Sequence, residues 1–238
     1  MKYYRIAGLN ISMASSGLTL ERSEPYVIDE PTNIDIKVES NISAVKNRFP
    51  RLDDDSCEYL STGKSFYLQL IDFDGFMLHS SAVVVDGKAY LFTADSGTGK
   101  STHTNLWLNL FGDRAYVIND DKPALRLENG VWYVYGTPWS GKHNINVNTR
   151  VPLAGIACLE RGKNNVIEPF SSSKAIALIF KQISKKKDAD FRMKLLGLLD
   201  KLFIQIPVWK LSCNMDIDAA IVAFEAMAGN RLEESNED

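Results

Sequence analysis

The chain has 238 residues, a length that suits one medium domain or a core domain with a small additional lobe. Hydrophobic residues make up 45% and charged residues 24%, and a formal net charge of −3 carries no broad basic field, so nucleic acid is not an expected partner. Cys57, Cys158 and Cys213 are far apart without a Cys-x-x-Cys, which argues against a zinc site or a disulfide framework, and the absence of a signal peptide and of a long apolar run predicts a cytoplasmic protein with no membrane partner.

Taken in chain order, residues 1–75 read as a β-rich lobe or extension. Tyr3–Ile11, Ile34–Val38 and Ser65–Leu70 mix aromatic and β-branched residues between Gly/Pro/Asn/Asp clusters, and Ile42–Phe49 suits a short helix. From Phe76 the pattern tightens into a core expected to span 76–230. Ala82–Val85 and Ala89–Thr93 flank Asp86-Gly87, a hairpin signal. A glycine-rich loop follows, then Thr102–Phe111 with apolar residues at helical spacing, then the apolar strand Ala115–Asn119. A second hairpin, Ala124–Leu127 with Val131–Tyr135, turns at Asn129-Gly130, and Leu153–Leu159 leads through a polar turn to Val166–Pro169. The last third alternates helix, helix, strand and helix. A helix capped near Ser171–Ser173 comes first, then Phe191–Ile204, the strand Val208–Cys213, and Asp216–Met227 closed by Gly229. The basic run Lys185–Lys187 suits a solvated helix end, and the acidic residues at 231–238 suit a frayed tail. Many short strands with hairpins predict a mixed, curved sheet of α/β class with α+β character, covered by helices on one side.

The chemistry concentrates in the glycine-rich loop. Residues 94–101 read Ala-Asp-Ser-Gly-Thr-Gly-Lys-Ser and stand between a buried strand and an amphipathic helix, the context of a phosphate-binding P-loop. Backbone amides of such a loop and of the helix N-terminus hold phosphates, Lys100 reaches the β- and γ-phosphates, and Ser101 reaches Mg²⁺. Ala94 stands where a glycine is usual, which an ordinary φ tolerates and a positive φ does not. Downstream, an apolar strand delivers Asp120 and Asp121; one acid suits a metal and the other an attacking hydroxyl, or the pair is a plain polar turn. His79 is a lone histidine ahead of the first hairpin, a pattern also met in structural histidines. Gly136–Lys142 is a glycine-bracketed loop whose Lys142 can neutralise phosphate charge, or a surface turn packed on Trp139. Arg150 and Glu160 flank an apolar strand and are equally explained by salt bridges.

Together these residues resemble the HPr kinase/phosphorylase family and its ATP-dependent phosphoenolpyruvate carboxykinase-like relatives. In that family a histidine precedes a hairpin leading into Gly-Asp-Ser-Gly-x-Gly-Lys-Ser, and a strand ending in Asp-Asp follows; here His79 stands 21 residues before Lys100, and Asp120-Asp121 follow. Ser96–Thr102 with Leu106-Trp107, Gly136–Lys142, and Val151-Pro-Leu153 through Glu160 are similar to motifs of the smaller HPr-kinase-like proteins. The resemblance covers residues 76–228 and implies a compact core with a mixed curved sheet, C-terminal helices, and ATP·Mg²⁺ as phosphoryl donor. It implies a serine-type hydroxyl acceptor on a peptide, protein or small metabolite, and leaves a homo-oligomer open. By that reading Asp95, Ser96, Gly97, Thr98, Gly99, Lys100, Ser101 and Thr102 bind the nucleotide. Ser101 and one of Asp120 and Asp121 bind Mg²⁺; the other acid is the base, with Asp120 favoured, and His79 and Lys142 assist. The chain departs from the family at Ala94, lacks the Leu-Glu-Ile-Arg-Gly stretch of true HPr kinases, and differs at its N-terminus, so HPr itself and reverse phosphorolysis are not implied. The rival of another class is a nucleotide sensor that binds ATP without chemistry. Carboxykinase-type decarboxylation needs a second metal site and a dicarboxylate-clamping arginine, and neither can be assigned.

Overall fold

The computed structural model describes residues 1–183, 186 and 188–230. The tail at 231–238 lies outside the described residues, as does the basic run at 185–187 apart from Lys186. Three two-residue turns, Ala7-Gly8, Asp86-Gly87 and Asn129-Gly130, have positive φ at both positions. That is the backbone of a type I′ turn, whose twist matches the strands it joins. The first joins β1 (Lys2–Ile6) to β2 (Leu9–Met13), so the single β stretch expected over Tyr3–Ile11 folds back on itself. Alanine in the left-handed region carries no sequence signal, and Ala7 takes φ 51° there. After α1 (Gly17–Ser23), β3 (Val27–Ile28) pairs with β1, and β4 (Ile36–Val38) runs parallel to β2.

The short helix expected at Ile42–Phe49 is α2 (Ile42–Arg48). The strand expected at Ser65–Leu70 is instead the end of α3 (Asp54–Gln69) and the 3₁₀ turn after it. The Asp53 carboxylate caps α3 by accepting from Ser56 N at 2.7 Å. Tyr59, Gly63, Phe66 and Leu70 are buried at helical spacing. A capped sixteen-residue helix with one buried face outweighs the β-propensity of a few aromatic residues.

Strands β5 (Gly75–Met77), β6 (Ser80–Val85) and β7 (Lys88–Thr93) precede α4 (Lys100–Phe111) and β8 (Ala115–Asn119). The second hairpin is β9 (Ala124–Glu128) and β10 (Val131–Tyr135), and β11 (Arg150–Arg161) is the longest strand. β12 (Val166–Pro169), α5 (Ser172–Lys181), α6 (Ala189–Gln205), β13 (Val208–Cys213) and α7 (Asp218–Ala228) complete the chain. Among the described residues these strands form a nine-stranded mixed sheet ordered β5-β9-β10-β11-β7-β6-β8, with β13 beside β11 and β12 beyond it. β11 shifts register between Leu153 and Gly155, pairing β10 before the irregularity and β13 after it, so the sheet curves and branches there.

Helices cover both faces of this sheet, not one. Ala82, Val84, Leu91 and Ile156 pack with α5 and α6, while Val83, Val85, Tyr90 and Phe92 pack with α4 and α7. The central strands are apolar on alternate and intervening positions alike, so each face needs a cover. The three cysteines are free and buried. No helix of the described residues is long and apolar enough to cross a membrane.

Strand direction sets where the site falls. Ser80 pairs with Thr93, Thr93 with Cys158, and Ala82 with Asn119. The start of β6 and the ends of β7, β8 and β11 therefore meet at one edge of the sheet.

Candidate functional site

The loop after β7 is held from three sides. Thr98 closes it locally, donating from its amide and its hydroxyl to Asp95 O at 3.2 and 2.9 Å. Arg161, at the end of β11, donates to Gly97 O at 2.6 Å and to Thr98 O at 3.2 Å. Lys100, buried at the start of α4, turns its Nζ back to Ala94 O at 3.0 Å. Burial lowers the Lys100 pKa, against the neighbouring Asp121, Asp120 and Asp95. Gly97 and Gly99 take φ of 80° and 123° with open space where a Cβ would stand, so backbone conformation and not packing demands glycine there. Ala94 is not among the residues with positive φ, and its side chain costs the loop nothing. Ser96 and Thr102 are exposed.

Asp120 and Asp121 leave the end of β8 in different directions. The Asp120 carboxylate accepts from Ser81 Oγ at 2.6 Å and from Ser101 Oγ at 3.0 Å, tying β8 to β6 and to the first turn of α4. The Asp121 carboxylate faces His79 Nε2 at 3.2 Å and ion-pairs with Lys122. Burial raises the Asp121 pKa, but hydrogen bonding to His79 and the charge of Lys122 outweigh it and hold the carboxyl at about 2. The turn is shaped by Asn119, fully buried, whose Oδ1 accepts from the amides of Asp121 and Lys122 at 3.0 and 2.7 Å.

Gln182, at the end of α5, joins the histidine to the loop. Its Nε2 donates to Asp95 Oδ1 at 2.8 Å, so its Oε1 faces His79 Nδ1 at 3.0 Å. Gln182 Oε1 and the Asp121 carboxylate can only accept, so Nδ1 donates to the first and Nε2 to the second. The Gln182 carbonyl also accepts from the His79 amide at 2.9 Å.

Lys142 does not join these groups. It is exposed, and its side chain makes no hydrogen bond or ion pair with Asp120, Asp121 or His79; the lysine against Asp121 is Lys122. The loop carrying Lys142 does approach the site, since a Cβ on Gly141 would stand 2.9 Å from Asp121 Cβ. Arg22 of α1 steadies it by donating to Gly141 O and Lys142 O. Arg150 lies outside the site and pairs with Glu128, whereas Glu160 pairs with Lys210 at the end of β11 beside the loop.

Sequence reasoning passed over Ser81, Asn119, Lys122, Arg161 and Gln182. Lys122 had a usable signal in its place beside two aspartates. Asn119 acts locally, on the amides of Asp121 and Lys122, while Ser81, Arg161 and Gln182 gain their roles only from strand register or from the end of a distant helix.

A cavity of about 580 Å³ opens beside the loop, between residues 93–98, the end of β11 at Cys158–Arg161, and Gln182. That volume suits a small-molecule ligand. Among the described residues no three His, Cys, Asp or Glu side chains converge on a metal position. Ser101 and Asp120 offer two hard oxygen donors, a set that fits Mg²⁺ shared with phosphate oxygens.

Fold and site define a mixed α/β protein with a glycine-rich strand–loop–helix and a carboxylate–histidine pair at one sheet edge. The chain belongs to the family described as SynChlorMet cassette protein ScmC, which matches residues 58–217. Among solved structures it is similar to the Hpr(Ser) kinase/phosphatase from Coxiella burnetii, with 12% identity over 64% of this chain and 93% of that one and a TM-score of 0.37. No curated protein shows significant similarity to it.

Proposed function

We propose that the chain binds ATP·Mg²⁺ at the 94–101 loop and transfers the γ-phosphoryl group to a hydroxyl of serine type. The observation that carries this reading is the division of labour between the two acids, Asp120 on Ser101 and Asp121 on His79, both close enough to the buried Lys100 to act on its charge. Lys100 leaves the carbonyl of Ala94 for the β- and γ-phosphates, and the loop amides hold the remaining oxygens. Ser101 and Asp120 would hold Mg²⁺, which when bound would supply positive charge to offset that of the phosphates. Asp121 is then the acid that receives the acceptor hydroxyl, the reverse of the assignment favoured from sequence. Its low pKa suits the task, because phosphoryl transfer asks more for an ionised, well-placed acceptor than for a strong base. His79 fixes that carboxylate, and Lys122 and Arg161 supply positive charge at the rim of the site.

The test is turnover with γ-labelled ATP, Mg²⁺ and pooled amino acids, sugars and peptides. Asp121→Asn should keep ATP binding and lose about 100-fold or more in transfer. Asp120→Asn should instead raise the Mg²⁺ concentration needed. Wild-type protein that ATP stabilises but that phosphorylates nothing in the pool would establish a nucleotide sensor in place of a kinase.

A further inference from the structure

α2 and α3 lie against each other, and the trough between them encloses about 470 Å³. Ala44, Val45 and Arg48 line it from one face of α2, and Leu60, Lys64 and Leu68 from one face of α3. From Leu60 to Leu68 the helix rises about 12 Å, the length of three to four extended residues. Its base is aromatic and buried, formed by Tyr59, Tyr67 and Trp139. Phe49 stands exposed at the rim with the Arg48 guanidinium 5.2 Å from its ring centre.

The charge of the trough runs against that of the chain. Arg48, Lys64 and Lys122 line it against one acid, Glu39, in a protein of net charge −3. Arg48 and Lys64 have no ion pair among the described residues, so their charge is unspent. The trough also borders the candidate site: Lys122 lines it and pairs with Asp121, and Trp139 shares a loop with Gly141, which packs on Asp121.

We propose that this trough is the acceptor site and that it takes an extended acidic peptide segment whose serine hydroxyl reaches Asp121. The inference rests on the phosphotransferase reading above. In the transfer the hydroxyl oxygen bonds to the γ-phosphorus as the β–γ bridging P–O bond breaks; the hydroxyl proton passes to Asp121 and on to water, and ADP leaves. Apolar side chains of the peptide meet the aromatic base, and its acidic groups meet Arg48 and Lys64.

The experiment uses the full chain and fluorescently labelled tetrapeptides with one serine and one leucine, flanked by two aspartates or by two lysines. Binding is measured by anisotropy without nucleotide, and transfer with ATP and Mg²⁺. The acidic peptide should bind about tenfold or more tighter than the basic one, and Arg48→Glu with Lys64→Glu, both exposed, should abolish that preference while leaving the KM for ATP unchanged. Equal binding of the two peptides, indifference to the charge reversals, or free serine phosphorylated as efficiently as the peptide would each overturn the proposal. Charge-dependent peptide binding without any transfer would overturn the phosphotransferase reading and leave a peptide-binding trough. Transfer to acceptors that ignore the reversals would keep the kinase and discard the trough.

Discussion

At Asp121, burial and local charge oppose each other, and charge prevails. The carboxyl is mostly enclosed, yet His79 and Lys122 hold its pKa at about 2 against an ordinary 3.8. A folded-state pKa below the unfolded one means that ionised Asp121 stabilises the fold at neutral pH and ceases to do so as pH falls from about 4 to about 2. Asp121→Asn should therefore lower the urea midpoint at pH 6 and shallow its decline below pH 4, which equilibrium unfolding at several pH values will read. Gln182 acts one step further out, as a positioning residue that sets the His79 hydrogen on Nδ1. Gln182→Leu should lower kcat about tenfold and, because Gln182 also holds Asp95 and lines the cavity beside the loop, raise the KM for ATP. Unchanged kinetics would assign Gln182 to the α5 end alone.

At the scale of elements, α4 is anchored by a histidine that burial keeps neutral. Trp107 Nε1 donates to His103 Nε2 at 3.1 Å, and burial pushes the His103 pKa down from 6.5 to about 4. Between those values the unfolded chain binds a proton that the folded chain refuses, so stability is full above pH 6.5 and declines as pH falls toward 4. His103→Gln should reduce the loss in urea midpoint between pH 7.5 and pH 5, a window that lies above the titration of Asp121. The elements around α4 were legible because their signals are local: Asp86-Gly87 and Asn129-Gly130 name their turns, and strand, glycine loop and helix follow one another without interruption. Ala7-Gly8 was not legible, because alanine at a positive φ contradicts its own preference. Nor was the end of α3, where Phe66, Tyr67 and Leu68 imitate a strand while the cap that decides the matter lies at Asp53. In the site, the loop and the two aspartates stood out by composition. Their separate partners did not, since Ser101 meets Asp120 and His79 meets Asp121 only once β6 lies between β7 and β8.

Across the whole molecule, the N-terminal segment is built into the same structure as the candidate site. Tyr4, Tyr26, Phe66 and Tyr67 share a core cluster with Ala124, Tyr135 and Trp139. Phe66 stacks on Trp139 with ring centres 5.0 Å apart, and Tyr67 OH reaches Thr137 Oγ1 at 2.8 Å. The approach of α3 to the 136–142 loop depends on Gly63, where a Cβ would stand 2.8 Å from Trp139 Cδ1. Gly63→Ala should destabilise the protein by about 1–3 kcal/mol by overpacking, and a thermal shift assay with and without ATP will show whether the loss reaches the loop. The β6–β7 hairpin has a metric consequence. Its two-residue turn fixes Ser80 opposite Thr93, and so fixes the distance along the sheet between His79 and the loop that begins at Ala94. Slipping the pairing by one residue would turn the apolar faces inside out. Slipping it by two would keep the faces and carry His79 about 7 Å along the sheet, out of reach of Asp121. Asp86 and Gly87 touch none of the reacting groups, yet as the zero mark of this ruler they gauge the spacing at the opposite edge.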